Sequence, residues 1–401
     1  MIKPHGADAL NPLYVAGEQA RAELAELAAD LPQMTIASGA AASAVMLASG
    51  YFTPLSGYMN LEELRSVATD MKLPGGLLWP VPVVNIMPAA QVPAGVEAGS
   101  RIALCDPNVD GNPVLAVQEV TKIEKLSDED RKLVIEQVFR TDDPEHPGIA
   151  AFNAMGDTLI SGPVQVLNYS YFPTDFPDTF LTAGQIRSEF EEKGWNTVVA
   201  FQTRNPMHRA HEELCRMAQQ DVNADAILIH MLLGKLKPGD IPADVRDASI
   251  RKMVEVYFPA DTVMVAGYGF DMLYAGPREA VLHAIFRQNA GCTHLIVGRD
   301  HAGVGDYYGA FDAQEVFDDI ADGALEIEIY RGDHTAWSKK LKKVVMLRDA
   351  PDHSPEDFLF LSGTKVRDML AAGEALPPEF ARPEVAQILA QHYQQEDAGQ
   401  A

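Results

Sequence analysis

Residues 195–220, from Trp195 through Gln202-Thr-Arg-Asn-Pro-Met-His-Arg-Ala-His211 to Gln220, constrain this chain more than any other stretch. The uncharged, β-branched run Thr197 to Phe201 reads as a buried strand. Four polar side chains follow it: Gln202, Thr203, Arg204 and Asn205. Pro206 keeps Asn205 extended or in a turn and suits the first turn of a helix. From Met207 the apolar positions Met207, Leu214 and Met217 predict a helix to Gln220, with His208 and His211 on one face of its first turn. A helix N-terminus carries unpaired N–H groups and partial positive charge; Arg204 and Arg209 add fixed charge, and the imidazoles add donors. The result is a concave, electropositive corner suited to hold an anion. His-x-x-His alone is explained equally well by a surface pair or a zinc grip; the polar prefix favours the anion site.

The 401 residues leave room for two or three domains. A net charge of −25 disfavours general nucleic-acid binding and requires any anion site to concentrate its cations locally. Cys105, Cys215 and Cys292 are far apart and odd in number, which gives neither a disulfide framework nor a CxxC metal site. The first residues lack the order of a signal peptide. Met34 to Asn60 contains no charged residue, yet its Ala, Ser, Gly and Pro content is too weakly apolar for a spanning helix. A packed segment of a cytoplasmic protein with no membrane partner is expected.

Along the chain, an amphipathic helix is expected over 18–31 and a second helical period over 42–50. From Val81 to Val166 the pattern is largely β, with strand-like runs at 82–87, 101–105 and 114–123 and an Asp110-Gly111 hairpin. A short helix is expected over 128–139, and Asp142 to Pro147 reads as a solvated loop. Short strands with turn punctuation imply a compact barrel-like β domain. Aromatic residues and prolines over 168–182 mark a linker. Helices at 183–193, 207–220, 243–257 and 277–289 then alternate with strands at 197–201, 226–231, 262–266 and 293–297. That alternation predicts an α/β domain with a doubly wound parallel sheet, with ligands at the carboxyl ends of its strands. Gln202–Asn205 and Gly298-Arg-Asp-His-Ala-Gly-Val-Gly305 both follow such ends, so the two loops are expected to open into one crevice. The second loop's glycines allow close backbone approach to an oxyanion, and Arg299 supplies a fork; a turn with an Arg–Asp surface pair is the plainer reading. Residues 325–401 read as a small α/β appendage with strands near 325–330 and 343–347, and 394–401 as a tail without fixed structure.

Gln202 to His211 resembles the QTRNPxHxxH nucleotide-binding motif of the ATP sulfurylase (sulfate adenylyltransferase) family, and Gly298 to Gly305 its GRDHAGxG motif. Gly50-Tyr-Phe-Thr-Pro-Leu-Ser-Gly-Tyr-Met59, Leu361-Ser-Gly-Thr-Lys-Val-Arg367 and the run from Pro378 are similar to further family elements. The resemblance spans essentially the whole chain. It implies an N-terminal PUA-like β-barrel domain over 1–167, a nucleotidyltransferase domain over 168–324 and a small C-terminal α/β domain over 325–401. It implies transfer of AMP from ATP to sulfate, giving adenosine 5′-phosphosulfate and diphosphate, with Mg²⁺ arriving on ATP, no protein-bound metal, and a homodimer. Gln202, Arg204, Arg299 and the Ala302 N–H are then implied to bind sulfate, Thr203 and Asn205 to orient the α-phosphate, and His208 and His211 to hold the β- and γ-phosphates. Adenine is implied to rest against the backbone of the 298–305 loop, which includes Gly298, Asp300 and His301, and the strand near Val345. Ser362 or Thr364 reads as a helix cap or, by resemblance, a phosphate contact. Leu232 to Ile241 resembles the family's mobile active-site loop, and Met231 after His230 resembles the form from sulfur-oxidising and sulfate-reducing bacteria. No Walker motif marks a fused kinase domain. Another adenylyltransferase, a non-catalytic sulfate or nucleotide sensor, and an RNA-binding PUA role are the alternatives.

Overall fold

A computed structural model describes residues 1–237, 240–361 and 363–400, with backbone alone at 363, 364, 367 and 395–400. In the N-terminal region the strand Thr158–Val166 is the hub, pairing antiparallel with Gly57–Tyr58, Ile86–Met87, Val114–Glu119 and Lys122–Lys125. Gly162, at φ +137°, lets this strand meet so many partners: a Cβ there would lie 2.0 Å from the Glu119 carbonyl oxygen. Arg101–Cys105 and Val114–Glu119 form the expected hairpin, with Gly111 in its connection at φ +81°. The single strand expected over 114–123 is instead two. Val114–Glu119 pairs with the carboxyl-terminal half of the hub and Lys122–Lys125 with its start, and between Gln118↔Val164 and Lys122↔Ser161 the register slips by one residue, a bulge beside Gly162. Only Ile86–Met87 of the run 82–87 is a strand.

The chargeless stretch forms the helix Ser38–Ala48, buried at every position from Ala40 to Ala48. Enclosure on all sides explains why its composition is apolar all round. Among the described residues no helix is long and apolar enough to cross a membrane. The loop 142–147 is not a solvated turn. His146 is fully buried and caps the helix Pro147–Ala154, its Nδ1 accepting from the Gly148 and Ile149 N–H groups.

Five parallel strands form the central sheet, in the spatial order Val263–Tyr268, Ala226–Leu232, Val198–Thr203, His294–Val297, Glu328–Arg331. The inner strands are buried on both faces, as their unbroken apolar runs require. The helices Ala183–Lys193, Ala243–Tyr257 and Pro277–Asn289 stand where the periodicity placed them. The fifth strand falls within the expected C-terminal appendage but belongs to this sheet, through pairing of Glu328–Arg331 with His294–Val297. Strand order reverses between Val198–Thr203 and His294–Val297, whose successive connections run to opposite sides. At such a point two loops part and leave a crevice.

The remainder is a three-stranded antiparallel sheet (Lys343–Met346, Thr335–Ser338, Phe358–Leu359) and two helices, Gly363–Ala371 and Pro383–Gln400. The last helix runs through most of the expected tail. The proposed cap Ser362, the side chain of Thr364 and the Pro238-Gly239 turn lie outside what is described.

Candidate active site

The two loops do share one crevice. Gln202, Thr203, Arg204, Asn205, His208 and His211 line one side of a cavity of about 270 Å³, and Gly298, Arg299, Asp300, His301 and Ala302 line the other. Parallel register places Ile296 beside Phe201, so both chains leave the sheet at the same level. Arg204 bridges them, donating to the Gly303 carbonyl at 3.1 Å.

On the first side, the Thr203 hydroxyl closes the turn by donating to the Asn205 carbonyl (2.7 Å) and accepting from the Asn205 N–H (3.1 Å). Gln202 donates to the Tyr268 hydroxyl at 3.3 Å. The helix starts two residues later than expected, spanning Arg209–Asp221, so Pro206 and Met207 lie outside it and His208 is its N-cap. Extended backbone at His208 brings its ring onto that of His211, with centroids 3.9 Å apart. Phe380, from the C-terminal region, stacks on His208 at 4.7 Å, and Phe201 lies 5.6 Å from His211. Neither Nδ1 has a protein partner. Burial strips hydration from the imidazolium forms and pushes His211 down to about 4 and His208 well below its ordinary value, so both rings are neutral near pH 7.

These depressed values have a consequence for stability. The unfolded chain protonates His211 at an ordinary histidine pKa near 6.5 and the folded chain only near 4, so between those values the unfolded state binds more protons. Folded stability contributed by this site is therefore expected to be complete above about pH 6.5. It should fall on acidification and level off below about 4, the folded value. Urea midpoints across that range, wild type against His211→Gln, measure it; equal slopes in both proteins would contradict the assignment.

On the second side, Asp300 and Ala302 both adopt left-handed backbone, with φ of 55° and 56°. The loop is pinned by Asp300 N–H to the Ala310 carbonyl (2.8 Å) and by Gly276 N–H to the Ala302 carbonyl (3.1 Å). Arg299 makes the plain surface pair with Asp300 (3.3 Å) and also lines the crevice, 3.5 Å from His334 Nδ1. His301 Nε2 lies 3.0 Å from Nδ1 of the buried His283. Further along, the N-terminal region grips the loop: Tyr307 donates to Asp143 (2.9 Å), and Tyr308 lies 3.2 Å from His146 while donating to the Tyr274 carbonyl (2.9 Å).

Several participants escaped the sequence reading. Asp240 takes Arg204 at 3.1 Å and Lys237 at 2.9 Å, and Tyr274 lies under the Arg204 guanidinium, 5.0 Å from its centre. Asp333, His334 and Thr335 line the crevice from beyond the fifth strand. Applying the carboxyl-end rule to Arg331-Gly-Asp-His-Thr335 would have found them; Phe380 carried no such signal. Val345 is not among the lining residues. It pairs with Ala336 and packs with Ala350 and Phe358, one strand behind Thr335. A second cavity of about 420 Å³ adjoins the first, sharing Arg204, Asn205, Arg299, Asp300 and His301.

Residues 2–169 match the model of the PUA-like domain, and residues 177–392 that of ATP-sulfurylase. The sulfate adenylyltransferase of Alcanivorax borkumensis is 66% identical over 400 residues, covering 100% of this chain and 99% of that protein. The protein of the same name from Allochromatium vinosum is 62% identical over 98% of each chain. Its namesake from the Riftia pachyptila sulfur-oxidizing endosymbiont is 47% identical over 97% of this chain and 88% of that one. A solved structure, the hexameric APS kinase from Thiobacillus denitrificans, shares the fold with a TM-score of 0.73 at 23% identity, over 98% of this chain and 68% of its own. With half the chain matched by the family model and relatives of this identity along its whole length, the protein belongs to the ATP-sulfurylase family.

Proposed function

We propose that the protein is a sulfate adenylyltransferase, interconverting ATP and sulfate with adenosine 5′-phosphosulfate and diphosphate. The observation that carries this reading is the meeting of Arg204, Arg299 and the paired imidazoles at a helix N-terminus around one crevice at the sheet's switch point. The sulfate adenylyltransferase names of its relatives support it.

Sulfate attacks the α-phosphorus of ATP in line and diphosphate leaves, its bond to the α-phosphorus breaking as the sulfate oxygen bonds. Sulfate is already deprotonated at pH 7, so no general base and no covalent intermediate are needed. The obstacle is repulsion between two anions. Rate comes from positioning and from fixed positive donors. Gln202, Arg204, Arg299 and the Ala302 N–H hold sulfate. Thr203 and Asn205 orient the α-phosphate; the closed Thr203–Asn205 turn keeps that geometry rigid. His208 and His211, neutral but each with an N–H to give, bind the β- and γ-phosphates and stabilise diphosphate as it departs. Gly298, Asp300 and His301 back the nucleoside. Mg²⁺ carried on ATP would screen its phosphates. Asp240 pairs with the Arg204 guanidinium at 3.1 Å and balances its charge beside the crevice. The proposed reaction belongs to the cytoplasm.

Steady-state kinetics in both directions test the proposal: ATP formation from adenosine phosphosulfate and diphosphate, and sulfate-dependent diphosphate release from MgATP. Turnover in both is expected. A folded protein that binds ATP but turns over in neither direction would overturn it in favour of a sensor or another adenylyltransferase.

A further inference from the structure

Behind the crevice runs a line of buried groups that the proposed chemistry does not use. Glu279 and His283, one turn apart on the helix Pro277–Asn289, are both completely buried, with His283 Nε2 3.6 Å from Glu279 Oε1. Each Glu279 oxygen already accepts a backbone N–H, Oε1 from Leu273 (3.1 Å) and Oε2 from Ala275 (3.0 Å). Two donors on two oxygens suit a carboxylate. His283 Nδ1 faces His301 Nε2 at 3.0 Å, and His301 lines both cavities of the site. Arg287, buried on the same helix, is 4.7 Å from the Tyr268 ring and opposes any positive charge on His283 or His301.

Neutral imidazoles carry one proton each, so two arrangements are open. In one, His283 donates from Nδ1 and turns its Nε2 lone pair toward Glu279, setting lone pair against carboxylate. In the other, the Nε2 proton of His283 points at Glu279, its Nδ1 accepts from the Nε2–H of His301, and the Nδ1 of His301 is left as a lone pair. Both arrangements make the His283–His301 hydrogen bond, but the first sets a lone pair against the Glu279 carboxylate, whereas the second turns an N–H toward it at 3.6 Å and is favourable at both links. Which tautomer a histidine adopts follows from the partner of its other nitrogen.

We propose that the buried Glu279–His283 pair holds His301 in the Nε2–H tautomer, so that His301 meets the ligand as a hydrogen-bond acceptor. An acceptor at that place repels phosphate and sulfate oxygens, which also only accept, and selects a group that donates. In the nucleotide of the proposed reaction, on which this half of the inference rests, the donors are the ribose hydroxyls and the exocyclic amine. His301 thus marks the nucleoside end of the crevice and turns anions toward Arg204, Arg299 and the imidazole pair. Glu279 and His283 are positioning residues that act through His301.

The tautomer is read directly from long-range proton–nitrogen correlation spectra of the full-length protein labelled with ¹⁵N-histidine, at pH 8, above the value of about 7 to which burial raises Glu279. The inference expects His301 with a protonated Nε2 and an unprotonated Nδ1; the reverse tautomer, or an imidazolium, overturns it. Glu279→Leu, which removes the acceptor facing His283, should release both rings from this tautomer in the same spectrum. The wild-type spectrum decides the question even if that variant fails to fold. For the ligand, binding of MgATP, its 2′-deoxy and 3′-deoxy forms, and the analogue lacking the exocyclic amine is measured by calorimetry on wild type and His301→Ala. One analogue should bind wild type about tenfold more weakly, the scale of one neutral hydrogen bond, and His301→Ala no more weakly than MgATP does. Equal losses in both proteins for every analogue would overturn the assigned ligand class. Absence of any nucleotide binding, beside the expected spectrum, would locate the failure in the proposed function and leave the relay standing.

Discussion

Replacing Arg204 with alanine is expected to lower turnover at least about 10²-fold, the cost of losing one preorganised charge-stabilising donor. The side chain sits on three neighbours at once: Asp240 at 3.1 Å, the Gly303 carbonyl of the opposite loop at 3.1 Å and the Tyr274 ring at 5.0 Å. It therefore meets its ligand already oriented, with little rearrangement left for the reaction itself. Removing it leaves Asp240 its second cation, Lys237 at 2.9 Å, so the fold should survive. That separates the two explanations of an inactive variant. Turnover measured with saturating MgATP and sulfate, beside a thermal melt, checks the expectation. Ordinary turnover in a folded Arg204→Ala protein would sink the role assigned to this residue.

The second large effect lies outside the crevice. Arg382 grips the fully buried Glu212 with two hydrogen bonds, of 2.7 and 2.9 Å, and so fastens the C-terminal helical region to the helix Arg209–Asp221. Tyr257 and Glu384 add a link at 2.6 Å. Breaking a buried ion pair by removing one partner costs about 3–5 kcal/mol, because the remaining charge is stranded away from water. Arg216 still reaches Glu212 at 3.3 Å, so Arg382→Ala is expected near the low end, about 3 kcal/mol. The clamp also holds Phe380 over His208, and its loss should raise the KM for ATP more than it lowers kcat. Urea unfolding together with the KM–kcat split measures both. Unchanged stability would mean that Arg216 alone satisfies Glu212 and that the Arg382 clamp does not stabilise the fold.

Much of the fold was legible because its signals are local. The strands flanking Gln202 and Gly298 are apolar on both faces, a pattern that only a covered parallel strand requires, and three helices of the sheet domain fell on their expected bounds. The misreadings share a cause. Val114 to Ile123 was unbroken in pattern, and its division at Val120-Thr121 comes from a one-residue slip in its register with Thr158–Val166, beside Gly162. Pro206 and Met207 looked helical, but the extended backbone of His208 defers the helix to Arg209. His146 looked solvated within an acidic, proline-rich run; its burial depends on Tyr274 and Tyr308, more than a hundred residues away.

By itself the sequence determined the chemistry on offer: a polar loop and a helix N-terminus after one strand, a glycine-rich Arg-Asp-His loop after another, and their convergence wherever a doubly wound sheet reverses its order. Those follow from spacing and from backbone geometry within a few residues. Only the tertiary structure decided what each charged or titratable side chain does there. It set Asp240 on Arg204, Phe380 on His208, Glu279 and His283 behind His301, and Val345 away from the crevice wall. The physical reason is that pKa, tautomer and ion pairing depend on desolvation and on partners within a few ångströms, and those partners come from distant parts of the chain.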